Sequence, residues 1–182
     1  MIILGIDPGT RAAGYGVIEV GPAGRRGKER ALDYGVVKMP AKDDHTLRLR
    51  TLYDAVMEVI ERYKPDECAV EMPFYGKNAQ SMLKLGRAQA AVMLAAMHRE
   101  IPVAQYAPTE IKKAVVGAGS AGKEQVWFMV KQQLGLTEDR GLDASDALAT
   151  ALCHAWRATS GPAAGAPKDW AAFIAANPGR VR

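Results

Sequence analysis

The first apolar run, Ile2–Ile6, is short, carries β-branched residues and stops at Asp7-Pro8-Gly9, so it predicts a buried strand feeding a turn. Gly14–Val20 and Ala31–Met39 predict a second and a third strand, with the Gly- and Arg-rich stretch 21–27 as a hairpin tip between them. Three strands joined by short turns predict an antiparallel meander. The period then changes. Leu49, Leu52, Tyr53, Val56, Ile60 and Tyr63 recur every three or four residues, which predicts an amphipathic helix ended by Lys64-Pro65. Cys68–Val70 predicts a short strand running into Glu71. Asn78–Met97 predicts a helix with hardly any polar face after Arg87, and therefore one buried on most sides, in the core or in a subunit interface. Ile101–Tyr106 reads as a strand, Pro108–Val116 as a short helix, 117–122 as a glycine-rich link, and Lys123–Leu134 and Asp143–Trp156 as the last two helices.

A meander followed by alternating helix and strand predicts an α/β fold, with a mixed five-stranded sheet and helices on its faces. One domain is expected over residues 1–158. Residues 159–182, rich in Gly, Pro and Ala, are expected to form a mobile tail.

Composition changes this picture little. The 182 residues hold 48% hydrophobic and 24% charged side chains, which is ordinary globular usage and argues against disorder. The longest apolar run, Ala88–Met97, is half of the roughly 20 residues a membrane-spanning helix needs. The start of the chain lacks the basic region of a signal peptide, and two cysteines, Cys68 and Cys153, make no disulfide framework. A cytoplasmic protein is expected. The net charge of +4, from 24 Lys and Arg against 20 Asp and Glu, suits nucleic acid but equally suits a scatter of solvated lysines.

Candidate chemistry begins with acids at strand ends. Asp7 closes the first strand and Glu71 the fourth. If these strands are parallel neighbours, both carboxylates emerge at the carboxyl edge of the sheet, where α/β proteins place ligands. Asp7 alone also suits a turn, whereas Glu has no turn role at position 71. Asp143 and Asp146 share a face on the first turn of the last helix, where acids also serve as caps. Four acids from three segments can hold two hard cations, and two ions about 4 Å apart suit in-line displacement at a phosphodiester. Lys77, Lys112, Lys113 and Lys123 fall near the predicted acidic edge and suit phosphate contacts, though each alone reads as a surface charge. Phe74 and Tyr75 are loop aromatics placed to stack on bases. Arg25, Arg26, Lys28 and Arg30 form a further basic cluster that reads equally as a solvated turn. His45, His98 and His154 show no ligand spacing and are assigned no chemistry.

Taken in order, Leu4-Gly5-Ile6-Asp7-Pro8-Gly9, Gly14-Tyr15-Gly16-Val17-Ile18, Val70-Glu71, Lys77-Asn78-Ala79 with Leu83-Lys84-Leu85-Gly86, Val115-Val116-Gly117 with Gly119-Ser120-Ala121, and Asp143-Ala144-Ser145-Asp146-Ala147-Leu148-Ala149 resemble the bacterial RuvC Holliday-junction resolvases over residues 2–155. The resemblance implies a ribonuclease H-like fold and a homodimer that cuts four-way DNA junctions with Mg²⁺ or Mn²⁺. It puts Asp7, Glu71, Asp143 and Asp146 on the metal site, Lys112 and Lys123 on DNA-contacting positions and Phe74 on the loop aromatic. It also implies that Asn78–Met97 lies at the dimer interface and that a branch-migration complex is a partner. Met72-Pro73 and Tyr75-Gly76 depart from the family pattern around that loop. Three other readings stand beside it: an actin-like ATPase, for which the chain is too short, another ribonuclease H-like nuclease of the pre-ribosomal RNA-processing type, and a non-catalytic junction-binding module.

Overall fold

The computed structural model of the chain describes residues 1–21, 28–73, 78–138 and 141–159. Ten elements follow in the order β1 (Ile2–Asp7), β2 (Ala12–Val20), β3 (Glu29–Lys38), α1 (His45–Tyr63), β4 (Glu67–Glu71), α2 (Ala79–Met97), β5 (Val103–Tyr106), α3 (Pro108–Val116), α4 (Lys123–Leu134) and α5 (Leu142–Thr159). The strands form one mixed sheet in the order β3-β2-β1-β4-β5. β1 to β3 are the expected antiparallel meander. β4 and β5 then add in parallel to β1, each reached through a helix, as parallel crossovers require. Of the expected tail 159–182, Thr159 is instead the last residue of α5 and 160–182 lie outside the described residues, as do Arg25 and Arg26.

Side-chain alternation along the strands splits the core in two. Leu4, Ile6, Cys68 and Val70 pack against Leu52, Val56 and Ile60 of α1 and Ala88 and Val92 of α2. On the opposite face Ile3, Ile18 and Ala69 pack against α3, α4 and α5 through Ile111, Val126, Val130, Leu148 and Leu152. Both cysteines are buried, as the apolar stretches around them imply. Glu29 is buried without being orphaned, because Gln133 Nε2 donates to one of its carboxylate oxygens at 2.8 Å and Trp156 Nε1 to the other at 2.6 Å.

Two helices differ from the expectation or narrow it. α1 starts at His45 rather than near Leu49, because Asp44 accepts a hydrogen bond from the Leu47 amide at 2.9 Å and caps a first turn that adds nothing to the apolar stripe, Thr46 and Leu47 being exposed. It ends where Lys64 turns left-handed ahead of Pro65. Within this chain the core covers one face of α2 and not most of its sides, which leaves the other expected setting, a subunit interface, for the remaining faces. Ala88, Val92, Ala95 and Ala96 meet the rest of the chain, while Leu83, Leu94 and Met97 on other faces are more than half exposed.

Candidate active site

The parity of β1 and β4 decides which acids meet. Ile3, Gly5 and Asp7 fall on one face of β1, the face covered by α5, and Ala69 and Glu71 fall on the same face of β4. The parallel register pairs Ile6 with Val70, so Asp7 and Glu71 are the next step on adjacent strands and leave the sheet at the same edge. α5 comes down onto this face closely because the strands offer no side chain at Gly5 and Gly14. A Cβ on Gly5 would lie 2.2 Å from the Ala147 carbonyl oxygen and 2.7 Å from the Ala151 amide nitrogen. On Gly14 it would lie 1.9 Å from the carbonyl oxygen of Asp143. Helix backbone rests on strand backbone, and that packing sets the height of Asp143 and Asp146 above Asp7.

Carboxylate oxygens of Asp7, Asp143 and Asp146 come within 4.8 Å of one another. Glu71 stands beside this trio and lines the same cleft, about 340 Å³ in volume, together with Asp7, Asp146, Lys112 and Lys123. Lys123, the first residue of α4, donates from Nζ to Asp146 Oδ2 at 2.7 Å. Pro8, Met72, Pro73 and Leu85 supply apolar walls. Lys113 is exposed on α3 and does not line the cleft, and Phe74, Tyr75 and Lys77 lie outside the described residues.

The electrostatics of the cleft are those of a site short of positive charge. Burial foremost, then Asp146 and Asp143, push the Asp7 carboxyl up to about 7, against a smaller pull from Lys123. Burial, then Asp7 and Asp146, push Glu71 up to about 8, opposed by Lys123 and Lys112. The Lys123 ammonium is itself held above its ordinary value, mainly by its hydrogen bond to Asp146. Two nearby lysines do not offset four acids gathered in a partly dry cleft. A hard divalent cation would, and three converging carboxylates are an all-oxygen donor set of the kind such ions take.

At the other end of α5, His154 joins a polar cluster that sequence reasoning did not foresee. Tyr106 Oη lies 2.7 Å from His154 Nδ1, and His154 Nε2 bonds the Glu67 carboxylate. Arg157 donates to Glu110 at 2.6 Å and stands over the Tyr106 ring. Glu67 has the strand parity of Glu71, so β4 carries one acid to each end of α5. The signal was the Glu67-Cys68-Ala69-Val70-Glu71 alternation, read only at its second acid.

A meander extended by two parallel strands, with carboxylates converging from β1, β4 and the start of the last helix, places the chain among the ribonuclease H-like nucleases. Sequence comparison narrows the class. The family described as crossover junction endodeoxyribonuclease RuvC matches residues 3–154, and the chain belongs to that family. A crossover junction endodeoxyribonuclease RuvC from Salinibacter ruber is 50% identical over 182 residues, covering 100% of this chain and 99% of its own length. The protein of the same name from Porphyromonas gingivalis is 45% identical over 188 residues, covering 100% of this chain and 97% of its own length. Among solved structures, T. thermophilus RuvC in complex with Holliday junction substrate matches with a TM-score of 0.80 at 38% identity, over 88% of this chain and 96% of that one.

Proposed function

We propose that the acidic cleft hydrolyses DNA phosphodiesters at four-way junctions, with Asp7, Asp143 and Asp146 as ligands of one divalent cation and Glu71 completing the site for a second. The observation that carries this is the convergence of three carboxylates within 4.8 Å in a cleft that Lys112 and Lys123 also line. Mg²⁺ or Mn²⁺ bound there supplies activation of water and neutralisation of the leaving oxygen. The chain supplies position. β1 and β4 present Asp7 and Glu71 from adjacent strands, and close packing at Gly5 and Gly14 fixes α5 over them. Lys123 holds Asp146 in one orientation and, with Lys112, offers positive charge to the backbone of the strand to be cut. The apolar walls exclude bulk water, which strengthens each charge interaction in the cleft.

A four-way junction has approximate two-fold symmetry, so an isologous dimer sets two such clefts on two strands, and paired nicks release two duplexes. The outer faces of α2, with Leu83, Leu94 and Met97 exposed, are the surface we assign to that dimer. Phe74 is assigned to further DNA contacts through the family, Tyr75 as the aromatic next to it in the loop, and Lys77 and Lys113 as lysines near the acidic edge; a branch-migration complex is assigned the role of partner through the family.

The test is Asp7→Asn on a synthetic four-way junction. Mg²⁺-dependent cutting is lost while junction binding in the absence of metal stays within a few-fold of wild type. Undiminished cutting would remove Asp7 from the site. Cutting of linear duplex or RNA as readily as junctions would overturn the substrate.

A further inference from the structure

A second cavity, also about 340 Å³, adjoins the acidic cleft and takes no part in the chemistry above. Thr10 and Arg11 of the turn after β1, His45 and Arg48 of α1, and Ser81 and Lys84 of α2 line it. Leu85 lines both cavities, so one opens beside the other. The charge here is opposite in sign. Arg48 donates to the carbonyls of Pro40 and Ala41, at 3.2 and 2.7 Å, which fixes its guanidinium without neutralising it. Arg11, Lys84 and the nearby Arg87 have no ion pair among the described residues. Asp43 and Asp44 offset part of this charge, and one Asp44 oxygen is already committed to capping the Leu47 amide. α2 carries no acid in its first turn and a neutral cap, Asn78, so its start adds positive potential, whereas the Asp44 carboxylate offsets that of α1.

His45 supplies an independent sign. Among the described residues, its Nε2 is the buried side-chain polar atom left without a hydrogen-bond partner. A buried polar atom without a partner costs stability, which a ligand able to bond it recovers. Burial first, then Arg87, Lys84 and Arg48, hold its imidazole below the ordinary histidine value, with Asp44 acting the other way. The three cations thus act on the imidazole in the same direction as its burial.

We propose that this cavity is a second phosphate-binding site, built by Arg11, His45, Arg48, Ser81 and Lys84 for a backbone phosphate of the DNA arm that enters the acidic cleft. The proposal rests on the resolvase reading and extends it. Thr10 is three residues from Asp7, so their Cα atoms are no more than about 11 Å apart. A DNA strand advances about 3.4 Å per nucleotide along the helix axis, which puts the second phosphate within about three nucleotides of the cut. Gripping the arm there fixes which phosphodiester reaches the carboxylates. The acids repel DNA, so a cationic anchor beside them is what allows the scissile bond to approach before and during cutting.

The experiment measures junction affinity against salt for wild type and for Arg11→Gln, Lys84→Gln and the double variant, without metal. The double variant binds about tenfold more weakly, and its plot of log affinity against log salt is shallower by about 0.9, the slope that one neutralised phosphate contributes. Junctions carrying one neutral methylphosphonate, scanned two to four nucleotides either side of the cut, are bound in parallel. At one position the neutral linkage weakens wild type and has no further effect on the double variant, which marks a direct interaction. That scan on wild type alone locates the phosphate even if a variant unfolds. Wild-type affinity and salt slope in the double variant, with no coupled position in the scan, would overturn the second site while leaving the resolvase reading standing. If wild type itself neither binds nor cuts junctions, both fall together.

Discussion

Asp7→Asn makes the metal-free protein more stable, and by an amount that depends on pH. Folding raises the Asp7 carboxyl from 3.8 to about 7, so between these values the native chain holds a proton that the unfolded chain has released. Stability from this group is therefore complete below pH 4 and is lost as pH rises through 7. At pH 8 the cost of ionising Asp7 in place is about 4 kcal/mol, and at pH 5 it is about 2 kcal/mol. Asparagine keeps the shape and removes the titration. Part of the strain on Glu71 relaxes as well, because Asp7 is the second cause of its rise, after burial.

Urea denaturation in EDTA at pH 5 and pH 8 reads the difference. Asp7→Asn exceeds wild type by up to about 4 kcal/mol at pH 8, roughly 10 °C in melting temperature for a chain of this size, and by about half as much at pH 5. Added Mg²⁺ at a hundred times its dissociation constant raises wild type by about 2.7 kcal/mol and the variant by much less. A variant no more stable than wild type at pH 8, or an advantage that does not shrink toward pH 5, would refute the reasoning that buried, mutually repelling acids make the site.

Gly5→Ala drives a methyl group into the backbone of α5 and costs about 3 kcal/mol, and the displaced Asp143 and Asp146 lower the Mg²⁺-dependent cutting rate at least about 100-fold. Chemical denaturation and single-turnover cleavage check it, and wild-type cutting would show that the close backbone approach does not set the site. Glu67→Gln weakens the bond to His154 and lowers stability by about 2 kcal/mol in urea, with the cutting rate at saturating protein preserved because the cluster lies at the far end of α5. Cys68 and Cys153, their thiols pushed by burial up to about 12 and about 11, release no colour from Ellman's reagent in the folded protein and two equivalents in urea. A fast native reaction would contradict that burial.

What could be read from the sequence was what one strand or one helix determines alone. Asp7 and Glu71 end apolar runs, and alternation with a parallel register suffices to bring them to one edge. Asp143 and Asp146 share a face by helical spacing. That Asp7, Asp143 and Asp146 form the tight trio, with Glu71 beside it, depends on how low α5 sits. Gly5 and Gly14 set that height, and in the sequence they look like ordinary strand glycines until the helix above them is known. α2 shows the converse. Its apolar composition predicted burial on most sides, but only one face of a helix can meet a sheet, so the remaining apolar side chains are left for a partner.

The net charge of +4 hides an arrangement that the structure makes plain. Asp7, Glu71, Asp143 and Asp146 gather on the α5 side of the sheet edge, while Arg11, Arg48, Lys84 and Arg87 gather beside them around the starts of α1 and α2. Summed over the chain these groups nearly cancel, and hydrophobic periodicity is blind to them because none belongs to an apolar stripe. Arg11, His45 and Lys84 come from three segments spread over more than 70 residues, and only the turn after β1 and the two helix caps bring them together. Binding a polyanion and cutting it demand opposite charges a few ångströms apart. A nuclease of this kind therefore carries a modest net charge and a strongly polarised surface.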